Sequence, residues 1–437
     1  MKERTTVQTS LLGIAKKAKT EKRYRFRNLY RELDEEMLRD SWRLIRKDAA
    51  LGVDRVSAAE YEANLEENIH QLVERLKRKS YRAKLVRRQY IPKDAGKLRP
   101  LGILATEDKL LQLAGKRLLE AIYEQDLLPC SYGYRPRMGA LAAVDQLTVK
   151  LQFGRYRYVV EADIKGFFDN LSHEWLMRML AERIDDQAIL RLIKKWLKAG
   201  VLDTDGKVIR PEGGTPQGGI ISPLLANVYL HYALDLWFVK VFRKSCRGEA
   251  FLIRFADDFV CGFEREEDAQ HCYRELEERL RKFGLELAAA KTRVIPFSRY
   301  RRGKTSFEFL GFEFRWGKDR QGRERLQRRT ARKKFRGSLK RAAEWCKKNR
   351  HQRMGEQFKR LNAKLRGYYN YYGVNGNYAS LNEFYHQLKR LHLKWLNRRS
   401  QCPSYTWDGY LALTQHFALA RPHIVGRPKS CLVASRC

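Results

Sequence analysis

The stretch Phe251-Leu-Ile-Arg-Phe-Ala-Asp-Asp-Phe-Val-Cys-Gly-Phe263 constrains this chain more than any other. Its flanks, Phe251 to Phe255 and Phe259 to Phe263, are rich in β-forming residues, and two acids, Asp257 and Asp258, stand between them. The pattern predicts a hairpin with carboxylates at its bend. Taken alone, such a pair fits ordinary turn chemistry, because Asp hydrogen-bonds its own backbone there.

Charge narrows the choice of partner. The 437 residues carry 89 Lys+Arg against 51 Asp+Glu, a formal net charge of +38, while 43% are hydrophobic, enough to bury two to four domain cores. So large an excess of one sign, with 11% aromatics, points to nucleic acid before a membrane surface. The eight cysteines form no C-x-x-C pair, which argues against a zinc ribbon or a disulfide framework and suits a reducing compartment. Residues 1–30 lack the apolar segment of a secretory signal. The most apolar span, Gly219 to Phe242, includes Asn227, His231 and Asp235, so a buried or amphipathic helix is expected there.

Along the chain, residues 1–45 predict a basic helical extension with Leu29, Leu33, Met37 and Leu44 at helical spacing, and Ala58 to Lys79 an amphipathic helix. Val86 to Ile103 predicts a basic hairpin turning at Asp94-Ala-Gly, and Glu107 to Tyr123 a helix. Tyr158 to Ile164 is an apolar strand ending in Asp163, a carboxylate that is costly there unless it is paired, bound to a cation or used as a helix cap. Gly213-Gly-Thr-Pro-Gln-Gly-Gly leads into a helix with Ser222 as N-cap and Pro223 first; it fits either a phosphate cradle or a plain turn. Glu266 to Phe283 predicts a helix, and Thr292 to Phe297 and Phe307 to Phe314 two strands.

Residues 299–366 then hold 25 Lys+Arg and 6 Asp+Glu, half of the net charge in a sixth of the chain, with apolar residues at helical spacing. Gly367-Tyr-Tyr-Asn-Tyr-Tyr-Gly373 interrupts these helices, its tyrosines suited equally to stacking on bases or to packing between helices.

If the Asp163 strand and the Asp257 hairpin share a sheet, their acids converge, and crowded carboxylates select a hard cation, Mg²⁺ or Mn²⁺. Two such ions activate a hydroxyl and stabilise a leaving phosphate oxygen. With a basic hairpin for a triphosphate and a basic helical surface, these are the parts of a polymerase.

The motifs also come in a specific order. Gly52-Val-Asp is followed by Ile91-Pro-Lys to Pro100-Leu-Gly-Ile, Ser131-Tyr-Gly-Tyr-Arg-Pro and Asp163-Ile-Lys-Gly-Phe-Phe-Asp. Then come Gly214-Thr-Pro-Gln-Gly-Gly, Ile221-Ser-Pro-Leu-Leu-Ala-Asn, Phe255-Ala-Asp-Asp, Lys291-Thr and Phe309-Leu-Gly-Phe. Over roughly residues 50–425 the series resembles the group II intron-encoded reverse transcriptases (maturases) of bacterial type.

The resemblance implies an α+β fold: a right-hand polymerase, fingers and palm with an antiparallel sheet, followed by an α-helical thumb/maturase domain. Its expected divisions are a basic N-terminal extension (1–57), fingers and palm (58–315), helical thumb (316–396) and a DNA-binding-like tail (397–437). It further implies that Asp163, Asp257 and Asp258, with the Ile164 carbonyl, ligate Mg²⁺ or Mn²⁺. Lys93 and Arg99 would neutralise the triphosphate, Phe168 would exclude a 2′-hydroxyl, and Gln217 and Gly218 would touch the nucleotide near its 3′ side. Lys291 would line the active edge, and Phe255, where the family usually has Tyr, would position the primer.

The implied partners are intron RNA, a DNA primer or target and dNTPs, with no membrane, in a bacterial cytoplasm at the nucleoid. Cys402, Cys431 and Cys437 lack the spacing of the His-Asn-His endonuclease that many relatives carry, so DNA cleavage is not expected. The implied function is RNA-directed DNA synthesis with assistance to splicing and retrohoming. The alternatives are a stand-alone reverse transcriptase in repair or defence, and a non-catalytic splicing maturase.

Overall fold

A computed structural model describes residues 6–92, 98–300, 305–319 and 321–425. The predicted Asp94-Ala-Gly turn, Lys93, Cys431 and Cys437 therefore lie outside the described residues.

The chain opens with α1 (Thr6–Thr20), a 3-10 turn at Leu29–Glu32 and α2 (Glu35–Trp42), which Asp34 caps by accepting from the Met37 N–H. Leu29, Leu33 and Met37 are buried as predicted, but Leu44 is exposed. The helix expected over 58–79 is two, α3 (Ala58–Ala63), which starts in a Ser57/Glu60 capping box, and α4 (Leu65–Lys77). Next come β1 (Val86–Pro92), β2 (Leu98–Ile103), α5 (Thr106–Tyr123), α6 (Ala140–Phe153) and β3 (Tyr158–Asp163). After these the chain forms α7 (His173–Ala181), α8 (Gln187–Leu197), and the two-residue strands β4 (Val201–Leu202) and β5 (Val208–Ile209).

Helix α9 (Ser222–Leu230) continues through two π-helical turns, His231–Asp235 and Phe238–Phe242, into the short α10 (Arg243–Ser245). It is buried, one of the two forms expected from the sequence, and no helix among the described residues is long and apolar enough to cross a membrane. The chain then runs through β6 (Ala250–Phe255), β7 (Asp258–Phe263), α11 (Glu266–Lys282), β8 (Arg293–Pro296), β9 (Ser306–Phe309), β10 (Phe312–Lys318) and β11 (Glu324–Thr330). The last four helices among the described residues are α12 (Arg332–Asn349), α13 (Met354–Tyr372), α14 (Tyr378–Leu396) and α15 (Trp407–His416).

Among the described residues the strands form three sheets, in the orders β2-β1-β4-β5, β6-β7-β3-β8 and β11-β10-β9. In the first, β1 and β2 pair antiparallel as the sequence predicts, from Arg87 opposite Ile103 to Pro92 opposite Leu98. The second sets the hairpin β6–β7 beside β3, the adjacency on which convergence of the acids depends. By its contacts the chain divides into two compact units, residues 1–139, 162–261 and 267–293, and residues 140–161, 262–266 and 294–437.

The basic region beyond residue 299 departs from expectation twice. Phe307 to Phe314 is not one strand: Leu310 and Gly311, with φ of 50° and 80°, turn it into the antiparallel hairpin β9–β10. Positive φ at both central residues matches the right-handed twist of the paired strands. Strand β11 then pairs with β10 along its length, so the first part of the 316–396 span is sheet rather than helix. Its basic residues are partly used there: Arg328 donates to Asp145 of α6 at 2.6 Å.

The tyrosine cluster does not interrupt a helix either, since α13 runs through Gly367 to Tyr372. Tyr368 stacks on Phe384 of α14 at 3.9 Å between ring centroids, Tyr369 is fully buried, and the Tyr371 hydroxyl donates to the Leu310 carbonyl. Tyr368, Tyr369 and Tyr372 pack the helical core with Phe358, Leu361, Leu365, Leu381 and Leu388, while Tyr371 stacks on Phe312 of β10. All four tyrosines thus make packing contacts within the protein.

A buried polar chain ties α15 to this core. Gln357 donates its amide to the Arg350 and Gln352 carbonyls, which turns its Oε1 toward His392 Nε2 at 3.0 Å. His392 Nε2 thus donates, and its Nδ1 accepts from the Tyr410 hydroxyl at 3.0 Å. Burial, with Arg399 nearby, pushes the imidazole down from 6.5 to about 4. Between these values the unfolded chain binds more protons than the folded one, so stability is lost as pH falls from about 6.5 toward 4. His392→Gln should flatten that slope, removing up to about 3 kcal/mol of pH dependence from thermal unfolding. An unchanged slope would contradict the assignment.

Candidate active site

The acids stand where the sheet puts them, with one adjustment. Asp163 ends β3, but the hairpin bend is Ala256-Asp257, and Asp258 is already the first residue of β7. Lys291 donates to Asp163 Oδ2, and the charges of Asp258 and Asp257 also act on its ammonium. One lysine thus lies within electrostatic reach of all three acids.

Burial, reinforced by the charge of Asp163, holds the Asp257 carboxyl above the usual carboxylate range; Arg99 and Lys291 oppose this. A buried carboxylate whose charge the neighbouring Asp163 disfavours, beside a cation already drawn to Asp163, is a donor set that fits a hard divalent ion. Among the described residues no three His, Cys, Asp or Glu side chains converge as a metal cluster, so the fit rests on the Asp163 and Asp257 pair. The Ile164 carbonyl is not used in the bridge between Ile164 and Leu287, which is made by the Asp163 carbonyl and the Lys165 N–H.

The residues expected to face the nucleotide also meet. Arg99 of β2 donates from Nε to Gln217 Oε1 at 2.8 Å, and the Gly102 N–H donates to the Gln217 carbonyl at 2.6 Å. Gly218 is required for this approach: its φ is +116°, and a Cβ there would lie 2.3 Å from the Gly102 carbonyl oxygen. The same loop is laced to the turn after β3, with the Thr215 N–H donating to the Phe168 carbonyl and His173 Nε2 against the Gly214 carbonyl at 2.6 Å. Phe168 is buried beneath it, edge-on to Phe167. Ser222 is the first helical residue rather than the cap, because its hydroxyl donates to the Pro216 carbonyl and accepts from Thr215.

Phe255 faces the ring of Tyr134 at 6.3 Å between centroids. Tyr134, assigned no role from sequence, has φ of 58°, and its hydroxyl is raised by burial and by the charge of Asp257, with Arg99 opposing. It therefore stands among Arg99, Asp257 and Phe255. Its motif was visible in the sequence; its neighbours were not. Arg254, also missed, is the other addition: a fully buried guanidinium three positions before Asp257.

A sheet edge with acids at a strand end and the adjacent bend, flanked by an arginine and a glycine-bearing loop, defines a polymerase-palm class of protein. Residues 91–314, just over half of the chain, match the family model described as reverse transcriptase (RNA-dependent DNA polymerase), and the chain belongs to that family.

Curated relatives agree. The chain is 43% identical over 183 residues to the group II intron-encoded protein LtrA of Lactococcus lactis subsp. cremoris, covering 42% of this chain and 30% of that protein. It is 36% identical over 239 residues to the protein YkfC of Escherichia coli K12, covering 48% of this chain and 62% of the relative. It is 31% identical over 168 residues to a putative COX1/OXI3 intron 1 protein of Saccharomyces cerevisiae, covering 38% and 20%. The matched stretches thus span less than two thirds of these relatives' own lengths. The resemblance to group II intron-encoded reverse transcriptases drawn from the motif series is borne out.

Proposed function

We propose that this chain is an RNA-directed DNA polymerase that extends a primer with dNTPs, and that it binds a group II intron RNA and assists its splicing and retrohoming. The observation that supports synthesis most directly is the pairing of Asp163 with Asp257 across adjacent strands, with Lys291 held on Asp163.

Asp163 and Asp257 would hold two Mg²⁺ ions, with Asp258 and the Ile164 carbonyl assisting. When bound, such ions lower the pKa of an attacking hydroxyl and stabilise the leaving phosphate oxygen. Arg99, braced by Gln217, presents its guanidinium to the triphosphate; Lys93 would add a second cation. Phe168 closes the floor under the sugar, and Phe255 with Tyr134 supports the primer end. Binding at Asp163 requires Lys291 to give up its hydrogen bond, which frees an ammonium at the reacting edge.

RNA binding draws on the second unit. Helix α12 alone carries eight Lys and Arg against one acid, and all eight basic residues are exposed. Because the tyrosines of α13 are occupied in packing, recognition here is by charge on the RNA backbone rather than by stacking.

Primer extension on an RNA template tests the first claim, and splicing of the flanking RNA with and without the protein tests the second. A narrower expectation concerns Phe168. Phe168→Ala should raise ribonucleotide incorporation relative to deoxynucleotide incorporation by at least about tenfold, a discrimination of the size that one steric contact supplies. An unchanged ratio would remove Phe168 from sugar selection.

A further inference from the structure

Arg254 lies inside β6, where an aliphatic residue would suit the buried strand, and it is 0% exposed. Its Nε and Nη2 donate to the two carboxylate oxygens of Asp235 at 2.7 and 2.6 Å. Nη2 also donates to the Ser131 hydroxyl at 2.7 Å, and Nη1 to Asn227 Oδ1 and to the Ala256 carbonyl, each at 3.1 Å. The carboxylate of Asp235 is as fully buried as the guanidinium. A buried ion pair is weak evidence of a stabilising role, since well-packed apolar residues of similar size serve stability as well or better.

What the pair touches is more informative. Ala256 has φ of 57°, a left-handed conformation that an alanine adopts only where its surroundings hold it, and it immediately precedes Asp257. The turn is packed from its other side. Asn227 Nδ2 donates to the Gly133 carbonyl at 2.7 Å, and a Cβ on Gly133 would lie 2.6 Å from the Ala256 nitrogen. On the backbone, the Arg254 N–H donates to the Cys130 carbonyl and the Tyr132 N–H to the Arg254 carbonyl, both at 2.8 Å. One guanidinium therefore joins the π-helical turn after α9, the Ser131 loop and the bend that carries the acid.

We propose that Arg254 is a positioning residue for Asp257: its bond to the Ala256 carbonyl, braced by Asp235, Asn227 and Ser131, holds the left-handed turn that presents the Asp257 carboxylate. The pair sets where one metal-binding oxygen stands before any ligand arrives. This rests on the polymerase reading above, and it adds to that reading a residue that touches neither substrate nor ion.

The test uses the full chain carrying Arg254→Lys, which keeps the charge and loses the fork, or Arg254→Met with Asp235→Leu, which removes both charges together. Melting temperature, RNA affinity, Mg²⁺ titration of primer extension, and kcat and KM for dNTP are measured. Both variants should fold and bind RNA like the wild type. Their Mg²⁺ midpoint should rise and kcat fall by about 10- to 100-fold, the scale of outer-sphere support for a metal ligand, with KM little changed. Arg254→Lys should fall between the wild type and the double variant.

Wild-type Mg²⁺ midpoint and kcat in the folded variants would overturn the proposal and leave the polymerase reading standing. Failure of both variants to fold would overturn it too, by making the pair part of the structural core alone. An inactive wild type would instead sink the polymerase reading itself.

Discussion

Asp257→Asn should abolish primer extension, by at least about 10³-fold, while leaving the protein as stable as the wild type or more so. The two halves of this expectation have one cause. Burial and the neighbouring Asp163 raise the Asp257 carboxyl above its ordinary range, so the folded state carries the charged form at a cost. Its folded value exceeds the unfolded one, so the folded state binds more protons in the window between them, and stability falls as pH rises through that window. A neutral amide of the same shape removes the cost and the metal affinity together. Thermal melting at neutral pH beside a single-turnover extension assay reads both. A variant that loses activity only by unfolding would contradict the account of the site, as would one that still synthesises DNA.

Affinity for RNA should fall steeply with salt. Residues 299–366 hold 25 Lys+Arg against 6 Asp+Glu, and α12 exposes its share along one helix. If six to ten of these residues neutralise phosphates, binding should weaken by roughly 10³- to 10⁵-fold between 50 and 200 mM salt. Replacing Lys340 and Arg341 of α12 with Gln should lower the slope of log affinity against log salt by about one for each phosphate left without its cation. The measurement is a filter-binding or fluorescence titration at four or five salt concentrations. A flat response would mean that this face meets solvent, and the RNA-binding half of the proposed function would fall with it.

Much of the candidate site was legible because its residues are concentrated in short strings. Asp163 at the end of an apolar strand and Asp257 between two β-forming runs needed only the adjacency of β3 and β7 to become a pair. The bond between Arg99 and Gln217 was not legible, since 118 residues separate them and neither has a local pattern that names the other. Arg254 was hidden for a related reason: a lone Arg in a strand reads as a solvent-facing residue until Asp235, 19 residues earlier, is seen to bury it.

Errors in the fold follow the same logic. In Phe307-Glu-Phe-Leu-Gly-Phe-Glu-Phe314 the β-forming pattern runs straight through a two-residue turn, because leucine at positive φ leaves no compositional mark. Strand β11, Glu324–Thr330, is so rich in charge that propensity argues against it, and only pairing with β10 makes it a strand. Tyr368, Tyr369 and Tyr372 continue the helical spacing of Leu361 and Leu365, so their burial in the α13 core was available from periodicity. The flanking Gly367 and Gly373 obscured it.

The most direct measurement is extension of a DNA primer on an RNA template by the purified chain, titrated with Mg²⁺ and with Mn²⁺. Template-directed incorporation of dNTPs that depends on the divalent ion is expected. Tight, salt-sensitive RNA binding with no incorporation at any concentration of either ion would contradict it, and would make this a polymerase fold used only to hold RNA.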